Sequence, residues 1–499
     1  MAKPKAFLKQ AKPKPNKEQK LNTADDFQAA GVDFEEAAGK WRAGDAAKSM
    51  RFFQRAVDVY AQGLSKFPQS IDLAYNKARV QLEIATHPIL VDQLQRPLQK
   101  VLEEALASHR YVLQLDPDNA DALFNTSQVL TALAEDLASD EDDKGNQGEA
   151  QALKILYEAL DFQSKCLSVQ EHKYQEFLEQ GRLANEQEEE VRDDQPMTDT
   201  NSNDNTPQED AEEEAEWFNV VEPVTHDTLI DTIVAQLGTL TTFCSIISSS
   251  PEAAPANSLL WAEELSGSLL LKVQTFSSDQ PERLQEIALT KGNLVSTMLE
   301  ARYKSGKIDA ETYKQERDTA FAAAEFQLER SSEGLIANAR SLLAFNSALI
   351  DAHNGDSHRC ATLLWNAITA SIANLKYASA IQGISQEDLA TTHLLRGDAS
   401  MYLYTMSYDY PGHPSYQKAT DSAAQNIKNA EVYYRNASRL SQDQEEKDVS
   451  SLKSAVAHSC SEGAGDLSFV RNASPRDSRW TTQQLEDMLA ENLILETMF

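Results

Sequence analysis

An all-α protein of antiparallel helix pairs, an α-solenoid in two halves, is the fold the sequence predicts, and three observations predict it. Apolar residues recur at three and four spacing over most of the chain, without strand-like alternation. Pro or Gly-Asp punctuates these runs at intervals that make the helices come in pairs. One strongly acidic stretch then separates two such helical regions. The 499 residues are 41% hydrophobic and 25% charged, enough apolar side chain for sizeable cores. With 18 Gly, 16 Pro and 4 Cys, a collagen, a low-complexity fibre and a disulfide scaffold are excluded.

The first 20 residues hold seven lysines, three prolines and one acid, and residues 1–23 read as a disordered basic tail. Its charge opposes that of the body. Lys3, Lys5, Lys9, Lys12 and Lys14 form a candidate import signal, which makes an import receptor an expected partner. The opening MAKPKAFLKQ has no apolar core for an export machinery to read, and Cys166, Cys244, Cys360 and Cys460 are too far apart for a metal spacing. A reducing compartment, nucleus and cytoplasm, is the expectation.

Residues 24–185 read as an N-terminal domain of helix pairs. The segment from Phe34 through Ala37, Trp41, Gly44 and Asp45 to Phe53, Ala56 and Val57 places small and aromatic residues at a helix-pair spacing. A second unit carries Ala74, Tyr75 and Ala78 and then Ala105, Val112 and Leu113 before Asp116-Pro117. A third carries Leu123, Phe124 and Ser127 and resumes at Ala152, Tyr157 and Ala159. These positions resemble the tetratricopeptide repeat, whose small residues let the two helices of a pair approach closely. The pattern departs from that family at two insertions, HPILVDQLQRP and ASDEDDKGNQG, and in an overlong second helix that runs to Pro68.

Residues 186–216 contain 14 acids against the single Arg192, a net charge of −13 over 31 residues, and read as a disordered acidic linker. Residues 217–499 again read as helices, at about 225–249, 256–276, 280–304, 308–330, 332–353, 357–380, 384–408, 415–440, 444–462 and 481–497. One of these pairs has Gly355-Asp356 at its turn, with Ala348 and Ala367 at the small positions. The run Leu229–Ser249 carries one charge in 21 residues. Its Thr, Ser and Gln content, with Asp231 and Gly238, suits burial among helices better than lipid, so no membrane partner is expected.

No catalytic constellation stands out: the sequence has no HExxH, no GxSxG, no glycine-rich phosphate loop and no paired cysteine, and neither an enzyme nor a cofactor is expected. His109 reads as a helix-packing residue, and Trp41, Trp261 and Trp365 as core. Arg396-Gly397-Asp398 reads as an ordinary helical stretch. The tetratricopeptide resemblance implies a peptide-binding groove lined by the first helices of the pairs. Here that surface presents Tyr75, Asn76, Arg79, Phe124, Asn125 and Gln128, with Phe34 and Trp41 assigned to packing. Some members of the family hold acidic chaperone tails in a clamp of Lys, Asn and Arg. The matching positions are Phe34, Ala38, Asn76, Asp121 and Asn125, of which only Asn76 agrees, so a heat-shock cochaperone role is disfavoured.

The net charge of −32 argues for a basic protein client and against direct nucleic-acid binding. The expectation is an acidic chaperone or escort of a basic client such as a ribosomal protein or histone. The competing expectation is a structural scaffold subunit of a multi-protein complex.

Overall fold

The computed structural model describes residues 21–139, 147–193, 223–278, 280–328, 330–352, 357–409, 414–462 and 467–495, all of them in helices, turns and loops. Two compact units divide the chain, Met1–Asp136 and Leu137–Phe499. The expected division at the acidic linker, after residue 185, is therefore displaced. The reason is that the helix after the insert near residue 140 packs on the C-terminal helices.

The first unit begins with α1 (Ala24–Trp41), α2 (Ala46–Lys66) and α3 (Ile71–Thr86). Each helix starts where a short polar side chain satisfies a free backbone amide. Thr23 and Asp26 form a capping box, Asp45 accepts from the Lys48 amide, and Ser70 accepts from the Leu73 amide. The first insertion forms the single turn α4 (Pro88–Val91), after which α5 (Leu98–Leu115) and α6 (Ala120–Ala138) follow. Ala56, Ala78, Ala105, Val112 and Ser127 are buried completely, at the helix contacts where small residues were expected. One register differs. In α1 the buried small residue is Ala38, whose carbonyl accepts from the Ser49 hydroxyl at 2.9 Å, while Ala37 is half-buried.

The second unit opens on α7 (Gln147–Asp193), a helix of 47 residues. Its first half buries Leu153, Leu156, Leu160, Cys166 and Leu167 against α8 (His226–Ser249), so it belongs with the C-terminal unit. Helix continues through 186–193, which the sequence assigned to the linker; the remaining linker residues, 194–216, lie outside the described residues. α8 is the long apolar candidate span, and it is the unit's buried helix, with Ile233, Leu237, Leu240 and Phe243 wholly enclosed.

α9 (Ser258–Phe276) and α10 (Leu284–Lys304) pack on α8. α11 (Ala310–Phe321) stops nine residues short of the expected end at 330. Phe321 and Phe326 pack ring to ring at 4.8 Å under Gly292, and the chain turns at Gln327 with φ 46°. α12 (Ser332–Ala352) and α13 (Ser357–Ala378) form the pair with Ala348 and Ala367 buried; its Gly355-Asp356 turn lies outside the described residues. α14 (Gln386–Asp409), α15 (Pro414–Leu440) and α16 (Gln444–Ser461) make the largest core, closed by α17 (Leu467–Ala473) and α18 (Ser478–Ala490). The sequence reading missed α17 and carried α18 to 497. Asn492, at φ 59°, ends it instead and donates to Asp351 at 2.7 Å.

Arg396-Gly397-Asp398 lies inside α14. Asp398 accepts from the Tyr434 hydroxyl and from Lys453, each at 2.9 Å, in a buried polar centre between α14, α15 and α16.

Candidate functional site

The first helices α1, α3 and α6 are joined side to side by polar contacts, which makes one surface of the residues that the sequence placed in a groove. On α3, Arg79 forms an ion pair with Glu35 of α1, and the Tyr60 hydroxyl of α2 donates to the same carboxylate at 2.5 Å. Burial works against the Arg79 charge, yet the adjacent Glu35 carboxylate raises its pKa above the ordinary arginine value. One turn earlier on α3, the Tyr75 hydroxyl accepts from Asn125 of α6 at 3.3 Å. Burial, and secondarily the Asp121 carboxylate, holds the Tyr75 hydroxyl above its ordinary pKa, so it stays a neutral donor and acceptor.

Tyr75, Asn76, Arg79, Phe124, Asn125 and Gln128 are all half-buried. The structure brings Tyr75 and Asn125 into contact and gives Arg79 an internal partner. Asn76 sits on α3 and Gln128 one turn beyond Phe124 on α6, amide groups that can bond an extended peptide backbone. Of the clamp positions, Ala38 is wholly buried and can contribute nothing to a ligand. Phe34 packs on Phe52, with ring centroids 6.4 Å apart. Trp41 corrects the sequence reading: it is 42% exposed, and the Lys48 ammonium sits 3.2 Å over its ring. Trp261 is half-buried in an aromatic cluster with Tyr157 and Phe243.

Glu35 is the residue of this surface that sequence reasoning missed. Its partner Arg79 is 44 positions away, and the signal that was available is a carboxylate on the inner face of α1 beside Phe34. The candidate import lysines Lys3, Lys5, Lys9, Lys12 and Lys14 lie outside the described residues.

A second concavity of about 510 Å³ lies in the same unit where the first insertion folds over α2 and α3. Gln54, Gln81 and Gln93 line it with the ion-paired Arg96 and Glu104. In the second unit a cleft of about 690 Å³ beside the start of α9 gathers Arg302, Lys304 and Lys307. Two of these cations are already neutralised: Arg302 pairs with Glu263 and Glu316, and Lys304 with Glu300 and Asp351. Among the described residues no cluster of His, Cys, Asp and Glu has the geometry of a metal centre. The four cysteines are free and buried, and burial, with Glu263 adding to it, pushes the Cys244 thiol up to about 12.

No family model matches the chain. A UPF0656 protein of Schizosaccharomyces pombe is 33% identical over 161 residues, 32% of this chain and 35% of that protein. An uncharacterized protein of Saccharomyces cerevisiae is 37% identical over 92 residues, 17% of this chain and 16% of its own length. The chain thus spans about a third and about a sixth of these two relatives. Two helical solved structures are similar at low identity. A hypoxic regulator of sterol synthesis described as a nuclear import adaptor matches at TM-score 0.34 and 10% identity, over 85% of this chain and 92% of that one. A circular tandem repeat protein matches at TM-score 0.32 and 11% identity, over 94% and 98%.

Proposed function

We propose that the protein is a non-catalytic binding protein that escorts a basic client, with ribosomal proteins and histones as the fitting class. The observation that carries this reading is the charge distribution. Fourteen carboxylates face one arginine over residues 186–216, within a chain of net charge −32. A polyanion of that density concentrates cationic partners around it, over a reach of about 8 Å at physiological salt. The α1, α3 and α6 surface supplies what the polyanion lacks, fixed amide and hydroxyl groups that can select one peptide. Tyr75, Asn76, Asn125 and Gln128 are its recognition residues. Arg79 holds Glu35 and has a structural duty, so its substitution tests folding as much as binding.

Affinity purification washed at graded salt tests the reading. The expected result is one basic protein whose recovery falls steeply with salt. Deleting 194–216, which leaves α7 intact, flattens that dependence and slows association by about tenfold. Asn76→Ala with Gln128→Ala lowers recovery at every salt concentration. A salt-resistant set of several subunits would instead establish a scaffold and sink the escort.

We also propose that the lysine-rich tail directs nuclear import. Removing residues 1–20 is then expected to move a fluorescent fusion from nucleus to cytoplasm. A fusion already cytoplasmic before the deletion would end this idea.

A further inference from the structure

In the first unit, α2, α3, α5 and the first insertion enclose a trough on the side of α3 away from Tyr75, Asn76 and Arg79. Ala74, Lys77, Gln81 and Ile84 fall at i, i+3, i+7 and i+10, one face of α3, whereas Tyr75, Asn76 and Arg79 project from the opposite face. α2 and α5 both pack on α3 and form the walls. Two concavities lie along this face, one of about 510 Å³ and one of about 580 Å³, and Gln81 and Glu104 line both. They make one continuous trough. From Ala74 to Ile84 its floor runs about 15 Å, the span of four or five extended residues.

The lining carries three cations, Arg51, Lys77 and Arg96, against the one carboxylate of Glu104, in a chain whose net charge is −32. Its local sign is therefore the reverse of the whole. Arg96 is bound to Glu104 through both terminal nitrogens, one contact at 2.7 Å, and Lys77 lies close enough to favour the charged form of the same carboxylate. Among the described residues Arg51 has no carboxylate partner. Gln81 adds a second unmet group. Its Oε1 is buried and, among the described residues, meets no donor. A turn of the amide about its terminal bond aims that oxygen into the trough, where a backbone N–H would satisfy it. Gln54 on α2 and Gln93 on the insertion add amides on either side, and Val57, Ile84 and Val101 supply buried apolar floor.

We propose that this trough is a docking site for an extended acidic segment of a partner protein, one that places carboxylates at Arg51 and Lys77 and apolar side chains on the floor. The amides suit a peptide backbone, which bonds in both directions along its length. The charge selects an acidic peptide. At physiological salt screening confines each charge to about 8 Å, so the sign of the lining and not that of the whole chain is what a bound segment meets. A basic client meets like charge here, which makes this a second surface, independent of the escort reading and of the α1, α3 and α6 groove. It also gives the insertion a duty: Gln93 and Arg96 come from the residues that interrupt the repeat.

Fluorescence anisotropy of a short labelled peptide in which Glu alternates with Leu, titrated with the full-length protein, tests the site. Saturable binding is expected, and the same peptide with Lys in place of Glu should not bind. Arg51→Glu with Lys77→Gln is expected to weaken binding on the order of tenfold, because it replaces attraction by repulsion at the rim. Gln81→Leu should also weaken it by about tenfold while leaving the denaturant midpoint unchanged or higher, since it removes a buried oxygen that has no donor; a purely structural glutamine would lower the midpoint instead. Asn76→Ala with Gln128→Ala alters the other surface and should leave the peptide bound. Absence of binding, or binding that survives both the Arg51/Lys77 and the Gln81 variants, would overturn the proposal. Stronger binding of a labelled oligothymidylate would overturn it too, and would assign the trough to nucleic acid.

Discussion

Gly31→Val and Gly397→Val are each expected to destabilise their unit by about 3 kcal/mol, as overpacked helix contacts do. A Cβ at Gly31 would stand 2.2 Å from the Tyr60 ring, and one at Gly397 would stand 2.4 Å from the Tyr434 ring. Neither ring can retreat. Both tyrosines are fully buried, and each hydroxyl is held by a carboxylate on the helix that bears the glycine: Tyr60 by Glu35 and Tyr434 by Asp398. Each carboxylate is paired in turn, Glu35 with Arg79 and Asp398 with Lys453. The two units thus use one device, a glycine that admits a tyrosine whose hydroxyl leads to an ion pair.

Gly238 and Gly267 lie in helices with open space around them. There, alanine is expected to stabilise by about 0.5–1 kcal/mol, because it only removes the entropic cost of glycine in a helix. Denaturant midpoints of the four variants check the sign at each position. A neutral Gly31→Val would show that the Tyr60 ring has somewhere to go, and the Glu35–Arg79 pair would then not be a fixed part of the groove.

The helices themselves were legible because their apolar spacing is that of buried stripes, and Gly44-Asp45 and Asp116-Pro117 marked turns that the structure places at α1/α2 and α5/α6. α7 was harder to read. Among its described side chains none after Gln170 is buried, so the core-facing period fades there. Glu, Gln, Ala and Leu are nevertheless strong helix formers, and composition alone extends the helix to Asp193. The same blind spot moved the domain division: the insert near residue 140 looked like a loop within a repeat, but the helix after it packs on α8. The groove was half legible. Spacing placed Tyr75, Asn76 and Arg79 on one face of α3, but the partner of a charged residue 44 positions away leaves no local signature. Trp41 failed for another reason: an aromatic at core spacing near a helix end can meet solvent once a lysine covers its face.

His109 ties the stability of the groove to pH. It is completely buried on α5, and burial lowers its pKa from 6.5 to about 4, with the Ala78 backbone working in the opposite direction. Between those two values the unfolded chain binds a proton that the folded one refuses, so stability falls as pH drops through the window from 6.5 towards 4. Relative to pH 8 the loss at pH 5 is about 2 kcal/mol, and it is complete at about 3 kcal/mol below pH 4. The carboxylates with lowered pKa, Asp26 and Glu104 in the same unit, also lose stability on acidification, but mostly below their ordinary values near 4. His109→Leu therefore isolates the histidine: the variant should keep its denaturant midpoint between pH 7.5 and 5.0, while the wild-type unit loses stability over that interval. Equal slopes for the two proteins would mean that His109 is protonated or solvated in the fold. The consequence reaches the proposed binding surface because Ala105 and Val112, which flank His109 on α5, are buried with it, and Val112 packs on Ala74 and Ala78 of α3. Tyr75, Asn76 and Arg79 stand on that same helix, so a client released below pH 6 by the wild type and retained by His109→Leu would locate the groove's acid sensitivity in one buried imidazole.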